Sequence, residues 1–506
     1  MSIRRNVLAN YIGDIYMTVI AIVMVPAYMR YIGAEAYGLV GFFSMLLAWF
    51  QLLDMGLTPT MARETARFHG GANDGMSLRR LLRALEGVFI AIAIIGCASL
   101  IAGSGALAAG WLKVQQLSLS EVRDSIALMA FIVALRWMGG LYRGALGGFQ
   151  VQVWLSGFNI AATTARYVLV LPFFILVSTR PAAFFLYQAG LAVLELVVLV
   201  AKTYSLMPPL AGRRLAWEWG PLRGVLKFSL GVAFSHLVWV CVTQTDKLLL
   251  SKLLPLADYG TFTLVVLVAA GVLNLSGPIS NALMPRMATL HAGGDEEGMM
   301  RLYSNATQFA GILTIGATMV LMFFGSRVLW AWIGNADIAA RAAPVMALYA
   351  AGYGIRVLAY FPYYLQYARG DLKMHLIGHG LFLAYLVPAL YVGALHAGAI
   401  GAGIAWCSAN ALYMLAWVPV VHARHFKGRH LGWLMRDIAP VAGATLALSL
   451  LIWRFFPWPP QRLQTGLCVA LISVMMLAAG AMASPWARAS LAAMARARGY
   501  LVGRPG

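Results

Sequence analysis

The sequence predicts an all-α integral membrane protein with about fourteen transmembrane helices. Of its 506 residues, 61% are hydrophobic and 11% are charged, whereas a soluble globular protein carries about 25% charged residues. Apolar runs of about 20 residues, long enough to cross the hydrocarbon layer as helices, recur along the whole chain. Two glycine-containing motifs also recur at one interval. Such internal repeats are typical of secondary transporters and predict two pseudo-symmetric six-helix lobes followed by two C-terminal helices.

The individual helices are predicted from the length and hydropathy of the runs. Lipid offers no hydrogen-bond partner to the backbone, so each run must pair its own N–H and C=O groups as a helix. The runs also lack the alternation expected of barrel strands. The predicted spans are roughly 7–29, 38–57, 82–103, 124–146, 152–177, 182–203, 224–249, 260–284, 302–324, 343–367, 374–395, 398–421, 437–456 and 463–483.

The repeat divides the chain into lobes. Residues 1–203 form the predicted N-terminal lobe with helices one to six, and residues 224–421 form the C-terminal lobe with helices seven to twelve. Residues 204–223 are a predicted cytoplasmic linker, and residues 422–506 hold the last two helices and a basic tail. The interval that separates Ala36-Tyr37-Gly38 from Asp258-Tyr259-Gly260 also separates Gly148 from Gly370. We predict a tight turn at each Tyr-Gly pair.

The formal net charge is +20. In so apolar a chain, attraction to anionic lipid headgroups explains this charge better than nucleic acid, which we do not expect as a partner. Dense basic clusters around Arg79, Arg213 and Arg429 fall on one side of the predicted spans. We therefore predict that both termini are cytoplasmic. The four cysteines lie in apolar runs without metal-ligand or disulfide spacing, so we expect no metal and no cofactor.

Ionisable residues inside the spans are functional candidates, because a charge within the bilayer is costly. The basic candidates share an intramembrane position: Arg136 and Arg143 on the fourth helix, Arg166 on the fifth, Lys247 on the seventh and Arg356 on the tenth. Guanidinium groups pair bidentately with phosphate oxygens. These residues therefore predict a cationic cavity that binds a phosphate-bearing anion.

Aromatic residues on the tenth helix predict a path for sugar. Tyr349, Tyr353 and Tyr360 follow one another at helical spacing, with Arg356 among them. Phenol rings offer a flat apolar face with a hydrogen-bonding tip, which suits sugar rings. Asn159, which shares a helical face with Arg166, completes the predicted path.

Two acidic residues are candidates for ion coupling, namely Asp14 in the first span and Asp246 in the seventh. Structural roles compete with these assignments. Asp14 can be a hydrogen-bonded structural acid, and Asp246 can pair locally with Lys247. Glu195 and Lys202, seven residues apart, can form a structural pair. Arginines near an interface can extend to the headgroups, and tyrosines near helix ends commonly form an interfacial belt.

Motifs of enzymes are absent from the sequence. It contains no Gly-Lys dipeptide and therefore no Walker A loop, and neither H-E-x-x-H nor G-x-S-x-G occurs. We therefore expect a protein that is not an enzyme. A gradient, the membrane potential or a downhill substrate must then supply the driving force.

Several short motifs carry a family resemblance. They are Ala36-Tyr37-Gly38, Leu53-Asp54-Met55-Gly56-Leu57, Thr245-Asp246-Lys247, Asp258-Tyr259-Gly260 and Gln366-Tyr367-Ala368-Arg369-Gly370. In this order they resemble the polysaccharide-transporter branch of the MOP exporter superfamily, the Wzx-type flippases for lipid-linked O-antigen and exopolysaccharide units. The resemblance implies a V-shaped two-lobe MOP/MATE-like fold, alternating access and a central cationic cavity. It transfers no cavity residue, because these residues are not fixed in the family's sequences.

The resemblance also implies a function. We expect an inner-membrane flippase that moves undecaprenyl-pyrophosphate-linked oligosaccharide from the cytoplasmic to the periplasmic leaflet for O-antigen or exopolysaccharide biosynthesis. Its expected partners are this cargo, membrane lipid and the polysaccharide polymerase machinery. The alternatives are a lipid II flippase, a MATE-like drug/cation antiporter, which the excess of intramembrane arginine disfavours, and a membrane glycan polymerase or ligase, for which the outside loops are short.

Overall fold

The structure is a computed structural model that describes residues 13, 15–72, 74–209, 218–223 and 226–502. The ion-coupling candidate Asp14 and residues 210–217 of the predicted linker lie outside the described residues. Within the described ranges, 11 helical segments are long and apolar enough to cross a membrane, and no residue belongs to a β-strand. The predicted all-α membrane fold is therefore confirmed.

The chain divides into two compact units, Met1–Gly260 and Thr261–Gly506. The helices that begin in the first unit are α1 (Val25–Phe50), α2 (Leu57–His69), α3 (Gly75–Ala106), α4 (Leu119–Gly148), α5 (Gln152–Tyr167), α6 (Val170–Leu176), α7 (Pro181–Leu206), α8 (Leu226–Leu253) and α9 (Leu256–Asn274). Shorter turns lie at Gln51–Asp54, Leu107–Trp111 and Gly220–Arg223. The predicted lobe boundary at residues 204–223 stays a prediction.

Helices of the second unit follow the end of α9. They are α10 (Gly277–Ala292), α11 (Glu296–Ile333), α12 (Ala336–Ala359), α13 (Phe361–Ala368), α14 (Lys373–Leu412), α15 (Val418–His425), α16 (Ala439–Phe455), α17 (Arg462–Ala483) and α18 (Pro485–Val502). Shorter turns lie at Tyr413–Trp417, His430–Gly432 and Trp433–Ile438.

Capping residues fix where several helices begin. The first N–H groups of a helix have no partner within it, and an oxygen-bearing side chain at the N-cap can accept from them. Ser118 Oγ accepts from the N–H of Glu121 at 3.2 Å at the start of α4. Asp295 Oδ1 accepts from Gly298 at 2.8 Å before α11, and Asn335 caps α12 in the same way. The sequence therefore sets these boundaries locally.

The predicted number of fourteen spans is not confirmed by the 11 candidates found in the described ranges. Residues 7–12 and 14 of the first predicted span lie outside the described residues, and α8 is not among the 11. The predicted spans 374–395 and 398–421 meet within α14, which bends at Gly398 (φ 52°). A Cβ atom on Gly393 would lie 2.8 Å from the carbonyl carbon of Gly401, so the two halves of α14 fold back on each other.

The predicted turn at Ala36-Tyr37-Gly38 is wrong. These residues continue α1, and the backbone instead breaks earlier at Gly33, whose φ of 81° suits glycine. Asp258-Tyr259-Gly260 likewise lies in the first turns of α9. The second pair of the repeat does not share one environment: Gly148 packs against α2, whereas Gly370 occupies a turn with φ 70°.

Gly38 and Gly260 nevertheless pack against each other where α1 crosses the start of α9. A Cβ atom on Gly260 would lie 2.7 Å from the carbonyl oxygen of Ala34, and one on Gly38 would lie 2.9 Å from the Leu256 side chain. Each glycine thus meets the residue four positions before the other. Reciprocal contacts of this kind are typical of a twofold-symmetric interface, and they support the predicted internal repeat.

Segments that were predicted to lie on one side of the membrane contact each other. On the predicted outside, the carboxylate of Glu35 accepts from the backbone N–H groups of Gln116 and Leu117 at 2.8 and 2.9 Å. On the predicted inside, Arg369 Nη2 donates to Glu296 Oε2 at 2.7 Å. These contacts support the predicted alternation of the spans.

Candidate substrate-binding site

Two helices of the first unit carry matched polar pairs. Arg136 and Arg143 lie seven residues apart on α4, and Gln188 and Glu195 lie seven residues apart on α7, so each pair occupies one helix face. Arg136 Nη2 donates to Gln188 Oε1 at 2.7 Å. One level further along, Arg143 Nη2 lies 3.9 Å from Glu195 Oε2. The two faces therefore meet in two polar levels inside a predicted transmembrane segment.

A break between α5 and α6 brings Arg166 to the same place. Pro172 has no N–H group, and its ring conflicts with the carbonyl four residues earlier, which belongs to Val168. Helix α5 accordingly ends at Tyr167, and α6 begins at Val170. Arg166 thus lies in the last turn of α5, where a positive charge is favourable to the helix dipole.

Side chains from neighbouring helices hold the broken end of α5. The last carbonyl groups of a helix lack partners within it. Tyr187 Oη donates to the carbonyl of Ala165 at 2.7 Å. The carbonyl of Arg166 receives Tyr28 Oη at 3.0 Å and Gln188 Nε2 at 3.1 Å. These hydrogen bonds fix the backbone from which the Arg166 side chain extends.

The carboxylate of Glu195 lies at the centre of the cluster. Arg166 Nε donates to Glu195 Oε1 at 2.6 Å, and Arg166 Nη2 donates to Glu195 Oε2. This is the two-pronged geometry in which guanidinium groups bind carboxylates and phosphates. Arg143 Nη1 also donates to Asn159 Oδ1. The Glu195 side chain is 9% exposed, compared with 22% for Arg166 and 30% for Arg143.

Positive charge exceeds negative charge in this cluster. Of the described residues, Glu195 is the carboxylate that forms ion pairs with Arg143 and Arg166. Arg136 is placed over the ring of Phe43 at 5.4 Å, and its buried Nε atom has no hydrogen-bond acceptor among the described residues. Counted over the described residues, three guanidinium groups around one carboxylate give the cluster a net positive charge. A cluster of this charge within the bilayer attracts an anion.

The alternative pairing of Glu195 with Lys202 is wrong. The Lys202 ammonium group lies over the ring of Trp154, 5.6 Å from its centroid, whereas Glu195 pairs with the two arginines. The sequence spacing alone could not distinguish a partner on the same helix from one on a neighbouring helix. Gln188 and Tyr28, which orient the arginines, were also missed. The signal for Gln188 was its spacing of seven residues from Glu195, which matches the spacing of Arg136 and Arg143.

Arg356 lies in the second unit and is 5% exposed. Its Nη1 atom donates to Asn410 Oδ1 at 3.4 Å, and its guanidinium carbon lies 4.9 Å from the centroid of Phe382 and 5.7 Å from that of Trp406. Its buried Nη2 atom has no acceptor among the described residues. A buried cation held by aromatic faces and an amide attracts an anion in its own right.

The predicted sugar path needs correction for two of its tyrosines. Tyr349 is 0% exposed and Tyr353 is 5% exposed. Their rings pack against Trp406, with centroid distances of 6.1 and 5.0 Å. In this conformation they are therefore packing residues and do not line an open path. Tyr360 is half-buried and receives a hydrogen bond from Arg356 Nε at 3.3 Å, so its assignment stays a prediction.

Lys247 and Asp246 belong to α8, a different helix from those that carry the arginines. Lys247 Nζ donates to the carbonyl of Thr243 at 2.7 Å, and the backbone N–H of Lys247 donates to Asp246 Oδ1 at 2.8 Å. These two contacts are local, and the assignments of Lys247 to substrate binding and of Asp246 to ion coupling stay predictions. The structure therefore brings together Arg136, Arg143, Arg166 and Asn159 of the predicted site residues.

A sequence profile of polysaccharide biosynthesis proteins matches residues 3–291, more than half of the chain. The chain belongs to this family. Among curated relatives, a protein named as an O-antigen transporter of Shigella flexneri is 19% identical over 412 residues, which cover 80% of this chain and 94% of the relative. The uncharacterized membrane protein EpsK of Bacillus subtilis strain 168 is 21% identical over 371 residues, which cover 72% of this chain and 71% of EpsK.

Solved structures share the fold of this family member. The inward closed conformation of the lipid II flippase MurJ matches with a TM-score of 0.72 at 10% identity, covering 94% of this chain and 97% of MurJ. An inward-facing multidrug resistance MATE family transporter of the MOP superfamily matches with a TM-score of 0.65 at 14% identity, covering 80% of this chain and 95% of the transporter. The predicted MOP/MATE-like fold is therefore confirmed.

Proposed function

We propose that this protein is a lipid-linked oligosaccharide flippase. It translocates undecaprenyl-pyrophosphate-linked repeat units from the cytoplasmic to the periplasmic leaflet of the bacterial inner membrane by alternating access. Its termini face the cytoplasm, and the exported units pass to the polysaccharide polymerase machinery. Membership of the polysaccharide biosynthesis family and similarity to a protein named as an O-antigen transporter support this proposal.

The observation that carries the proposal is the convergence of Arg136, Arg143 and Arg166 around Glu195, the one carboxylate that the described part of the chain places in this cluster. A pyrophosphate linker carries several negative charges and presents paired oxygens that match guanidinium geometry. In our proposal this cluster binds the pyrophosphate, while the prenyl chain remains in lipid. Arg356 provides a second cationic position in the other unit.

The membrane potential favours export of such a cargo. Moving one charge through 100 mV is worth about 2.3 kcal/mol, and an anion leaves an inside-negative cell downhill. The protein then needs to provide a polar route and to neutralise the pyrophosphate inside the bilayer. An excess of arginine suits this task and disfavours the drug/cation antiporter, because the cluster repels cationic drugs.

Replacing two of the arginines tests the proposal. We expect the double variant R136Q/R143Q to flip lipid-linked oligosaccharide at least about tenfold more slowly, because each lost charge-assisted hydrogen bond weakens pyrophosphate binding. The measurement is protection of a labelled undecaprenyl-pyrophosphate-linked sugar from an external enzyme in vesicles containing the purified protein. Glutamine is neutral but can still form hydrogen bonds at both positions, which limits the structural damage.

The matched control for this experiment is Arg123→Gln on the same helix, α4. Arg123 is exposed and pairs with its neighbour Asp124 at 3.2 Å. We expect this variant to flip at the wild-type rate. A double variant that also retains the wild-type rate would refute the proposed role of the cluster.

A further inference from the structure

We infer that Glu195 is a built-in competitor of the cargo pyrophosphate, occupying the arginines when the site is empty and returning to them as the cargo leaves. This inference rests on the proposed function, because it assumes that the arginine cluster binds pyrophosphate. It assigns Glu195 a role in release, beyond that of a structural partner.

The geometry of the Arg166–Glu195 pair carries the first step. Arg166 Nε lies 2.6 Å from Glu195 Oε1, and Arg166 Nη2 bonds the second carboxylate oxygen. A phosphate group binds a guanidinium through the same two N–H groups and the same spacing of oxygens. One two-pronged guanidinium edge cannot hold both anions at once. The carboxylate of Glu195 therefore stands where two phosphate oxygens would bind.

Arg143 is a second cation beside the carboxylate of Glu195. It lies 3.9 Å from Glu195 Oε2, too far for a hydrogen bond, and it is already engaged by Asn159. Glu195 is thus bound tightly to one arginine and loosely to another. When an anion takes Arg166, the carboxylate remains beside a cation and within the same cluster. Displacement therefore does not strand a lone buried charge.

The burial of the pair explains why such a competitor is useful. Leaving the arginine cluster bare after release would expose uncompensated charges to a low-dielectric environment, which is strongly unfavourable. The returning carboxylate neutralises part of that charge and so lowers the free energy of the state that follows release. In the binding direction, the cargo must replace an existing ion pair, which weakens its net affinity. Glu195 therefore lowers the affinity for the cargo and speeds its release.

Glu195→Gln tests this inference, because it keeps the shape of the side chain and removes its charge. We expect the variant to bind inorganic pyrophosphate about tenfold more tightly, since binding no longer has to replace a charge-assisted hydrogen bond. We expect its flipping rate to fall by a similar factor, because release becomes slow. Affinity is measured by titration calorimetry on the purified full-length protein, and flipping is measured in vesicles. Inorganic phosphate, tested in parallel, shows whether the second phosphate group contributes.

Opposite changes in affinity and rate distinguish competition from a structural role. If Glu195 only positions Arg166, Glu195→Gln lowers both affinity and rate, and the inference is wrong. Glu195→Asp keeps the charge on a shorter side chain and is expected to lie between the wild type and Glu195→Gln in both measurements. It also serves as the test variant if Glu195→Gln does not fold.

Glu86→Gln is the matched control. Glu86 is a second buried carboxylate of the same unit, 6% exposed. It accepts hydrogen bonds from Tyr142 at 2.9 Å and Tyr204 at 2.8 Å and lies 3.6 Å from Arg83, so its partners differ from those of Glu195. We expect this substitution to leave pyrophosphate affinity unchanged. A tenfold gain in affinity in this variant would mean that loss of any buried carboxylate has the same effect, and would overturn the inference.

The same titrations separate the inference from the proposed function. If the double variant R136Q/R143Q binds pyrophosphate as tightly as the wild type, the cluster is not the binding site and the proposed function fails. If that double variant loses binding while Glu195→Gln gains none, the binding site stands and only the competition is refuted.

Discussion

Arg166 and Arg356 are both largely buried arginines inside predicted spans, but their partners differ. Arg166 forms a two-pronged pair with Glu195. Arg356 contacts aromatic rings and the amide of Asn410, and of the described residues none provides a carboxylate to it. The Arg166–Glu195 pair carries little net charge. The Arg356 cation, which has no carboxylate beside it among the described residues, is destabilising unless an anion binds. The two residues should therefore respond differently to neutralisation.

We predict that Arg166→Met destabilises the empty protein by up to about 3 kcal/mol, because it leaves Glu195 without its main partner. Arg356→Met, in contrast, should stay within about 1 kcal/mol of the wild type or become more stable, because an apolar side chain suits the aromatic surroundings. Thermal unfolding of both variants in detergent, followed by tryptophan fluorescence, measures the difference. A large loss of stability in Arg356→Met would show that an unrecognised partner neutralises this arginine.

At this scale the sequence identified the right residue types and missed their partners. Arg136, Arg143, Arg166 and Asn159 were selected by helical spacing and do converge. That Glu195 joins them depends on which faces of α4, α5 and α7 meet, and a single sequence does not specify this. For Tyr349 the sequence did not predict burial. The ring is buried because it packs against Trp406, which is far away in the sequence.

At the level of helices, the crossing of α1 and α9 depends on the absence of side chains. A Cβ atom on Gly260 would lie 2.7 Å from the Ala34 carbonyl oxygen, well inside normal contact distance. Small residues let helices approach closely in membranes. The Tyr-Gly pair was therefore interpreted wrongly as a turn signal, since glycine serves both turns and close packing and the sequence does not tell which. Gly33 and Pro172, near which the helices do break, were as visible in the sequence as the Tyr-Gly pairs.

We predict that Gly260→Ala destabilises the protein by about 1–3 kcal/mol, because the added methyl group forces the two helices apart. Gly271 lies on the same helix and has nothing within 4 Å of an added Cβ atom. Gly271→Ala should therefore stabilise the protein by about 0.5–1 kcal/mol, through the higher helix propensity of alanine. Thermal unfolding in detergent compares the two. Equal effects would argue against the close crossing.

For the whole molecule, hydropathy predicted the helical membrane fold, whereas the orientation that charge predicts stays a prediction. Contacts between segments assigned to one side, such as Trp111 Nε1 with Ser251 Oγ at 2.9 Å, agree with the predicted alternation. The number of spans was harder to predict, because the bend in α14 joins two predicted helices into one element. Length and apolarity identify a span, but they do not show where a continuous helix folds back.

The orientation can be measured with engineered cysteines. The native cysteines lie within helical segments and are partly buried, so a cysteine-free background is a reasonable starting point. We predict that Gln116→Cys reacts with a membrane-impermeant maleimide added to cells whose outer membrane has been permeabilised. Ala72 is exposed, as is Gln116. The variant Ala72→Cys should react only after the inner membrane is opened. The reverse pattern would place the termini outside.

The reciprocal contact of Gly38 and Gly260 is the one that two identical chains would make about a twofold axis. A gene duplication followed by fusion would retain this contact while the two copies diverged. At the same interval that relates the glycines, Arg136, Arg143, Arg166 and Glu195 correspond to Leu358, Leu365, Pro388 and Trp417. In the predicted repeat the arginine cluster with Glu195 therefore belongs to one copy, whereas the other copy carries Arg356, and the two copies have unequal tasks.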